Sequence, residues 1–101
     1  MAHRVSFSPE ALSDLRELYL FIADRAGDIR AMAYVDRIEG YCRGFANFPE
    51  RGTRRDDLLP GLRIVGFERR ASIAFHIGAD TVIIDRILYG GRDLEALSDD
   101  G

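Results

Sequence analysis

The apolar residues of this chain change their spacing once, and that change dictates what it can fold into. From Ala11 to Phe45 they recur three or four apart, whereas beyond Leu62 they alternate with polar residues. The first period suits one buried face of a helix, the second a strand half-buried in a sheet. The helical stretch divides at Gly27. "SPEALSDLRELYLFIADRAG" sets Ala11, Leu12, Leu15, Leu18, Tyr19, Ile22, Ala23 and Ala26 on one stripe. Ser8 is placed to cap its start, Pro9 and Glu10 suit the first turn, and Gly27 suits the stop. A second helix is expected from an Asp28 cap to about Phe48, ahead of Pro49, with Ala31, Tyr34, Val35, Ile38, Tyr41, Cys42 and Phe45 inward. The short link makes an antiparallel hairpin. Gly40 and Gly44 would each cost about 1 kcal/mol in a helix relative to alanine. Lying four apart, they are expected to admit close packing by another element.

"HRVSF" (His3 to Phe7) is a strand candidate ahead of the helices, and "PERGTRRDDLLPGLR" (Pro49 to Arg63) reads as a loop. "LRIVGF" (62–67), "SIAFHI" (72–77) and "TVIIDRIL" (81–88) are then three strands of a meander, parted by "ERRA" and "GAD". The order of strand, two-helix hairpin and three strands predicts an α+β fold: one antiparallel sheet with both helices on one face, in a single domain over residues 1–101. A hydrophobic fraction of 47% beside 31% charged residues supports a folded core rather than disorder. Strict alternation turns Ile73, Phe75 and Ile77 toward the helices and leaves Ser72, Ala74 and His76 on an open, concave face. That face is where a site is expected.

All 14 basic residues are arginine, whose planar forks suit carboxylate or phosphate, yet the net charge is -3. An acidic balance argues against non-specific nucleic-acid binding. Cys42 is the lone cysteine, so no internal disulfide forms, and its place on an apolar stripe makes it core filler. No apolar run approaches the ~20 residues of a membrane span, and "MAHRVSFSPE" has no signal-peptide core, so a cytoplasmic protein is expected. Metal-ligand clusters, P-loop, CxxC and Gly-x-Ser-x-Gly motifs are missing from the sequence, and no metal or cofactor is expected.

Arg63, His76, Arg86 and Tyr89 are the residues with chemistry to offer. Metal-independent phosphodiester cleavage needs a general base, a general acid and cations near the developing charge, and these types can fill those roles. Each also has a plain reading: Arg86 paired with Asp85 or Glu68, and His76 a half-exposed structural histidine. If the last strand runs straight, Arg86 shares a face with Val82, Ile84 and Leu88 while Tyr89 faces the other way. A bulge or bend, which Gly90 and Gly91 are placed to supply, would be needed to bring the two together. Arg51, Arg54 and Arg55 beside Asp56 and Asp57 form either a self-balanced solvated loop or a rim for an acidic partner segment.

Four segments in register, "VSFSPEALSDLRELYLFIADRAG", "FPERGTRRDDLLPGLR", "IAFHI" and "VIIDRILYGGRDLEAL", together resemble the RelE/ParE toxin superfamily, most closely its ParE branch, over residues 4 to 97. The resemblance implies the toxin of a type II toxin–antitoxin (plasmid stabilization) module. It also implies a ParD-like cognate antitoxin as partner, with either a homodimer or a hetero-oligomer with the antitoxin as the assembly. ParE-like members inhibit DNA gyrase; RelE-like members are endoribonucleases that cleave messenger RNA on the ribosome, and this is the alternative. For the nuclease, the resemblance puts Arg63 at one expected basic position of the second strand. Ser72 stands where the third strand expects an arginine, with Arg69 and Arg70 in the preceding turn. After Arg92 the tail "DLEALSDDG" adds Asp99 and Asp100 and no tyrosine, an ending poorly suited to ribosomal RNA. "ILYGGRDLEAL" matches the ParE-like ending, where many relatives have histidine at Tyr89. Arg54, Arg55, Arg63, Arg86, Tyr89 and Arg92 are accordingly the candidates for antitoxin or target binding.

Overall fold

The computed structural model describes residues 3–90. β1 (Arg4–Phe7) leads into a helical hairpin, α1 (Pro9–Ala26) and α2 (Asp28–Arg43), which ends in a 3-10 turn at Gly44–Ala46. β2 (Thr53–Arg54), β3 (Arg63–Phe67), β4 (Ala71–Ile77) and β5 (Thr81–Tyr89) follow. The strands form one sheet in the order β1-β5-β4-β3-β2, antiparallel except where β1 runs parallel to β5. The expected strand, hairpin and meander are all present. β2 is an addition: two residues of the Pro49–Arg63 loop pair with β3, Thr53 opposite Ile64 and Arg54 opposite Arg63.

Ser8 ties the start of α1 to the last strand. Its N–H donates to the Ile84 carbonyl at 2.9 Å, while its hydroxyl donates to the Asp85 carbonyl at 2.8 Å and accepts from Ala11 N–H at 3.0 Å. One side chain thus caps a helix and holds an edge of the sheet. At the hairpin turn Gly27 has φ +93, a conformation open to glycine and strained for other residues. It caps both helices: its N–H donates to the Ala23 carbonyl and its carbonyl accepts from Ala31 N–H. Asp28, the expected cap, is already helical and makes no capping bond, so its charge serves the first turn of the helix dipole instead. The α-helix also stops at Arg43, short of Phe48, because its last turn tightens into the 3-10 form. A Cβ on Gly40 or Gly44 would meet nothing within 4 Å, so the close packing expected there is not found.

The core lies between the hairpin and one face of the sheet. Leu15, Leu18, Tyr34, Ile38, Cys42 and Phe45 come from the helical side, and Phe67, Ile73, Phe75, Val82, Ile84 and Ile87 from the strands. Phe45 and Phe75 pack at a tilt with centroids 4.7 Å apart, and complete burial of such a side chain contributes about 2–3 kcal/mol. Cys42 is fully buried, and burial pushes its thiol up to about 12, as filler rather than a reactive group. β5 does not run straight. Ala74 pairs with Arg86 but Phe75 with Ile84, so Asp85 is an extra residue, and the bulge re-phases the strand. Val82 and Ile84 before it, and Ile87 and Tyr89 after it, therefore pack on the helical side together. This bulge precedes both Arg86 and Tyr89 and so leaves them on opposite faces; of the two glycines expected to bend the chain, Gly90 has φ +73 and Gly91 lies outside the described residues.

The other face is less open than strict alternation suggests. Leu58 and Leu62 fold from the loop onto Ala74 and Ile64 to make a second small cluster. The loop is tightened by Arg55 N–H to the Leu62 carbonyl at 2.8 Å and by Gly61 N–H to Asp56 Oδ1 at 2.8 Å.

Candidate functional site

β1 ends level with Ile84, so the far half of β5 has lost its strand neighbour on that side, and α1 fills the gap with Asp14. The Asp14 carboxylate, only 5% exposed, accepts from Ile87 N–H at 2.8 Å, Arg86 Nε at 2.8 Å and Arg86 Nη2 at 3.0 Å. The bidentate bond to Asp14 raises the Arg86 guanidinium above its ordinary range, although burial works the other way. Arg86 is thus paired, as the plain reading holds, but with Asp14 rather than with Asp85 or Glu68. A permanently charged fork locked in this way anchors α1 to the sheet edge and offers no proton to transfer.

Tyr89 closes the strand on the helical side. Its ring meets Phe21 edge-on at 5.5 Å and Tyr34 at 5.7 Å. Beyond it opens a pocket of about 380 Å³, lined by Arg30, Tyr34, Arg37, Glu68, Arg70 and Tyr89 among others. Arg30, Tyr34 and Arg37 are spaced to share one face of α2. Arg37 grips Glu68 through two hydrogen bonds, at 2.9 and 3.0 Å, and each shifts the other: the guanidinium up and the carboxyl down. Arg30 and Arg70 make no ion pair with a described residue. Tyr34 is 6% exposed, and its hydroxyl has no hydrogen-bond partner among the described residues. Burial, then Tyr89 and Glu68, push this phenol up to about 12 against the pull of Arg37 and Arg70.

The remaining candidates lie elsewhere. His76 Nδ1 meets Asp85 Oδ2 at 2.7 Å on the outer face of the sheet, a partner supplied by the bulge. Arg63 begins β3 and donates to the Arg51 carbonyl at 3.3 Å; its register partner is Phe75, on the helical side. Arg54 pairs with Asp56 at 3.2 Å and Arg55 with Asp57 at 2.9 Å, so the charge of "RRDD" is largely balanced within the loop. Arg92 lies outside the described residues. The structure therefore gathers Tyr89 with Tyr34 and three arginines, whereas Arg63, His76 and Arg86 are each engaged by other groups: the Arg51 carbonyl, Asp85 and Asp14. Among the described residues, no three His, Cys, Asp or Glu side chains group as a metal would require. No helix there is long and apolar enough to cross a membrane.

Asp14, Arg30, Tyr34, Arg37 and Arg70 were not singled out for a site by the sequence. The spacing Arg30-Tyr34-Arg37 was the available signal, a polar-tipped aromatic between two cations on one helical face. Asp14 gave none, since its partners are more than 70 positions away.

Comparison with known proteins agrees with this fold. The family model described as the ParE toxin of the type II toxin–antitoxin system parDE matches residues 5–94. The chain is 31% identical over 83 residues to Toxin ParE3 of Caulobacter vibrioides, covering 82% of each protein. Among solved structures it is similar to a chain of the chromosomal ParDE toxin–antitoxin system from P. aeruginosa. The TM-score is 0.77 at 22% identity, over 87% of this chain and 96% of that one. A chain of the RelBE2 toxin–antitoxin complex from Mycobacterium tuberculosis shares the fold with TM-score 0.64 at 20% identity, over 89% of this chain and 93% of that one.

Proposed function

This chain belongs to the ParE toxins of type II toxin–antitoxin systems, and from that premise we infer that it arrests growth by inhibiting DNA gyrase in the cytoplasm until a cognate antitoxin neutralises it. Membership across residues 5–94 carries the reading. Arg86 locked on Asp14 and Tyr89 packed inward against Phe21 and Tyr34 weigh against the ribosome-dependent nuclease, which needs an acid, a base and cations free to face one phosphate.

The hairpin offers a surface for the antitoxin. Leu20 and Phe21 on α1 and Ile29 and Met32 on α2 are exposed on the turns flanking Gly27, with Ile29 87% exposed. Large apolar side chains concentrated at one tip suit an amphipathic helix from a partner. The test is induced expression in a bacterium without antitoxin, with plasmid supercoiling and mRNA integrity followed in the same culture. Relaxed plasmid with intact mRNA is expected. Codon-positioned mRNA cleavage with normal supercoiling would replace this reading with the nuclease.

A further inference from the structure

The charges around Tyr34 do not balance. Three guanidiniums line the pocket, those of Arg30, Arg37 and Arg70, and Glu68 is the one carboxylate set against them. The Tyr34 hydroxyl is buried with no acceptor among the described residues, an arrangement that folded proteins seldom leave in place without a use. The Arg37 guanidinium lies over the Tyr34 ring, 5.2 Å from its centroid, while it holds Glu68. That ion pair is half exposed, with Arg37 51% and Glu68 39% accessible, and pairs of this kind are weak and easily exchanged. Glu68 and Arg69 also sit at φ 52 and φ 59, left-handed values that a turn ordinarily gives to glycine or asparagine. The strain is thus stored in the turn that presents Glu68 to Arg37.

We propose that this pocket receives a carboxylate side chain of the antitoxin, which replaces Glu68 on Arg37 and accepts a hydrogen bond from the Tyr34 hydroxyl, so that Glu68 acts as a built-in competitor for the neutralising segment. The proposal rests on the toxin–antitoxin reading above. Two features favour a partner's side chain over a free anion. The remaining wall is apolar, with Ile22, Ala26 and Ala33, and would pack against the neighbours of an acidic residue on an amphipathic segment. The pocket also reaches the hairpin turn, since Ala26 and Arg30, which line it, lie on either side of Gly27 in the sequence, next to the exposed Ile29. Exchange of one carboxylate for another keeps Arg37 paired throughout and supplies the missing acceptor to Tyr34.

The test uses the purified chain and its cognate antitoxin, with binding measured by titration calorimetry and the free variants unfolded in urea. Tyr34→Phe is expected to leave the urea midpoint at or above the wild-type value and to weaken antitoxin binding about tenfold. Glu68→Gln is expected to tighten binding about threefold by removing the competitor. Arg37→Gln should weaken it. Binding of Tyr34→Phe as tight as wild type would overturn the pocket proposal while leaving the toxin reading intact. Weaker binding by Glu68→Gln would overturn the competitor role, and failure of the wild-type chain to bind the antitoxin would overturn both readings.

Discussion

Tyr89 stands between two polar sites built from the same residue types, and they are finished differently. On its α1 side, Asp14 takes both arms of Arg86 and the Ile87 N–H, so each buried polar group there has a partner. On its α2 side, three arginines face Glu68, and the Tyr34 hydroxyl has no partner among the described residues. The first arrangement fixes a helix to a sheet edge that would otherwise expose backbone. The second leaves capacity unused. A charged cluster in a small toxin is therefore not evidence of chemistry by itself, and its degree of satisfaction separates scaffold from receptor.

The most disruptive way to test this contrast is Asp14→Ala, which strands Arg86 and orphans Ile87 N–H. A loss of about 3 kcal/mol is expected in urea unfolding at pH 7, within the range for breaking a buried pair. A loss below about 1 kcal/mol would mean that the edge is held by other contacts. Double-mutant cycles sharpen the comparison. Coupling between Asp14 and Arg86 should clearly exceed that between Arg37 and Glu68, which is expected to be small because both partners are half exposed. Equal couplings would erase the distinction.

Smaller effects appear in the pH limbs. The Tyr34 phenol is raised from 10.0 to about 12 in the folded chain, so its contribution is complete below pH 10 and is lost as pH rises from 10 to about 12. Tyr34→Phe should flatten that alkaline limb while changing stability at pH 7 by no more than about 0.5 kcal/mol. An unchanged limb would place the titration elsewhere. For Glu68 the sign is opposite: Arg37 holds its carboxyl below the ordinary range, so its contribution is present above that range and fades as pH falls through the folded value. Glu68→Gln should slightly shallow the acid limb, as read from urea midpoints across acidic buffers.

Features set by short-range chemistry were legible in the sequence. Ser8-Pro9-Glu10 started α1, Gly27 ended it, and the change of period at Leu62 separated helices from strands. What the sequence concealed depends on residues far apart in the chain or on local departures from a period. β2 is two residues long within a loop rich in proline, glycine and charge, too short to show alternation. The bulge at Asp85 interrupts "VIIDRIL" without any glycine to mark it, and it reverses which residues of the strand face the helices. Arg86 was visible as an ion-pair candidate, but its carboxylate lay on a helix at the other end of the sequence. The pocket was hidden for a related reason: Tyr34 fits an apolar stripe, and only the fold shows its hydroxyl without an acceptor.

The central claim, that this ParE-family chain is a gyrase inhibitor under antitoxin control, is met most directly by a purified supercoiling assay. Gyrase is titrated with the chain, and then with the chain premixed with its cognate antitoxin. The account predicts loss of supercoiling with the chain alone and recovery as the antitoxin reaches saturation. Full supercoiling at a large molar excess of folded chain would contradict it.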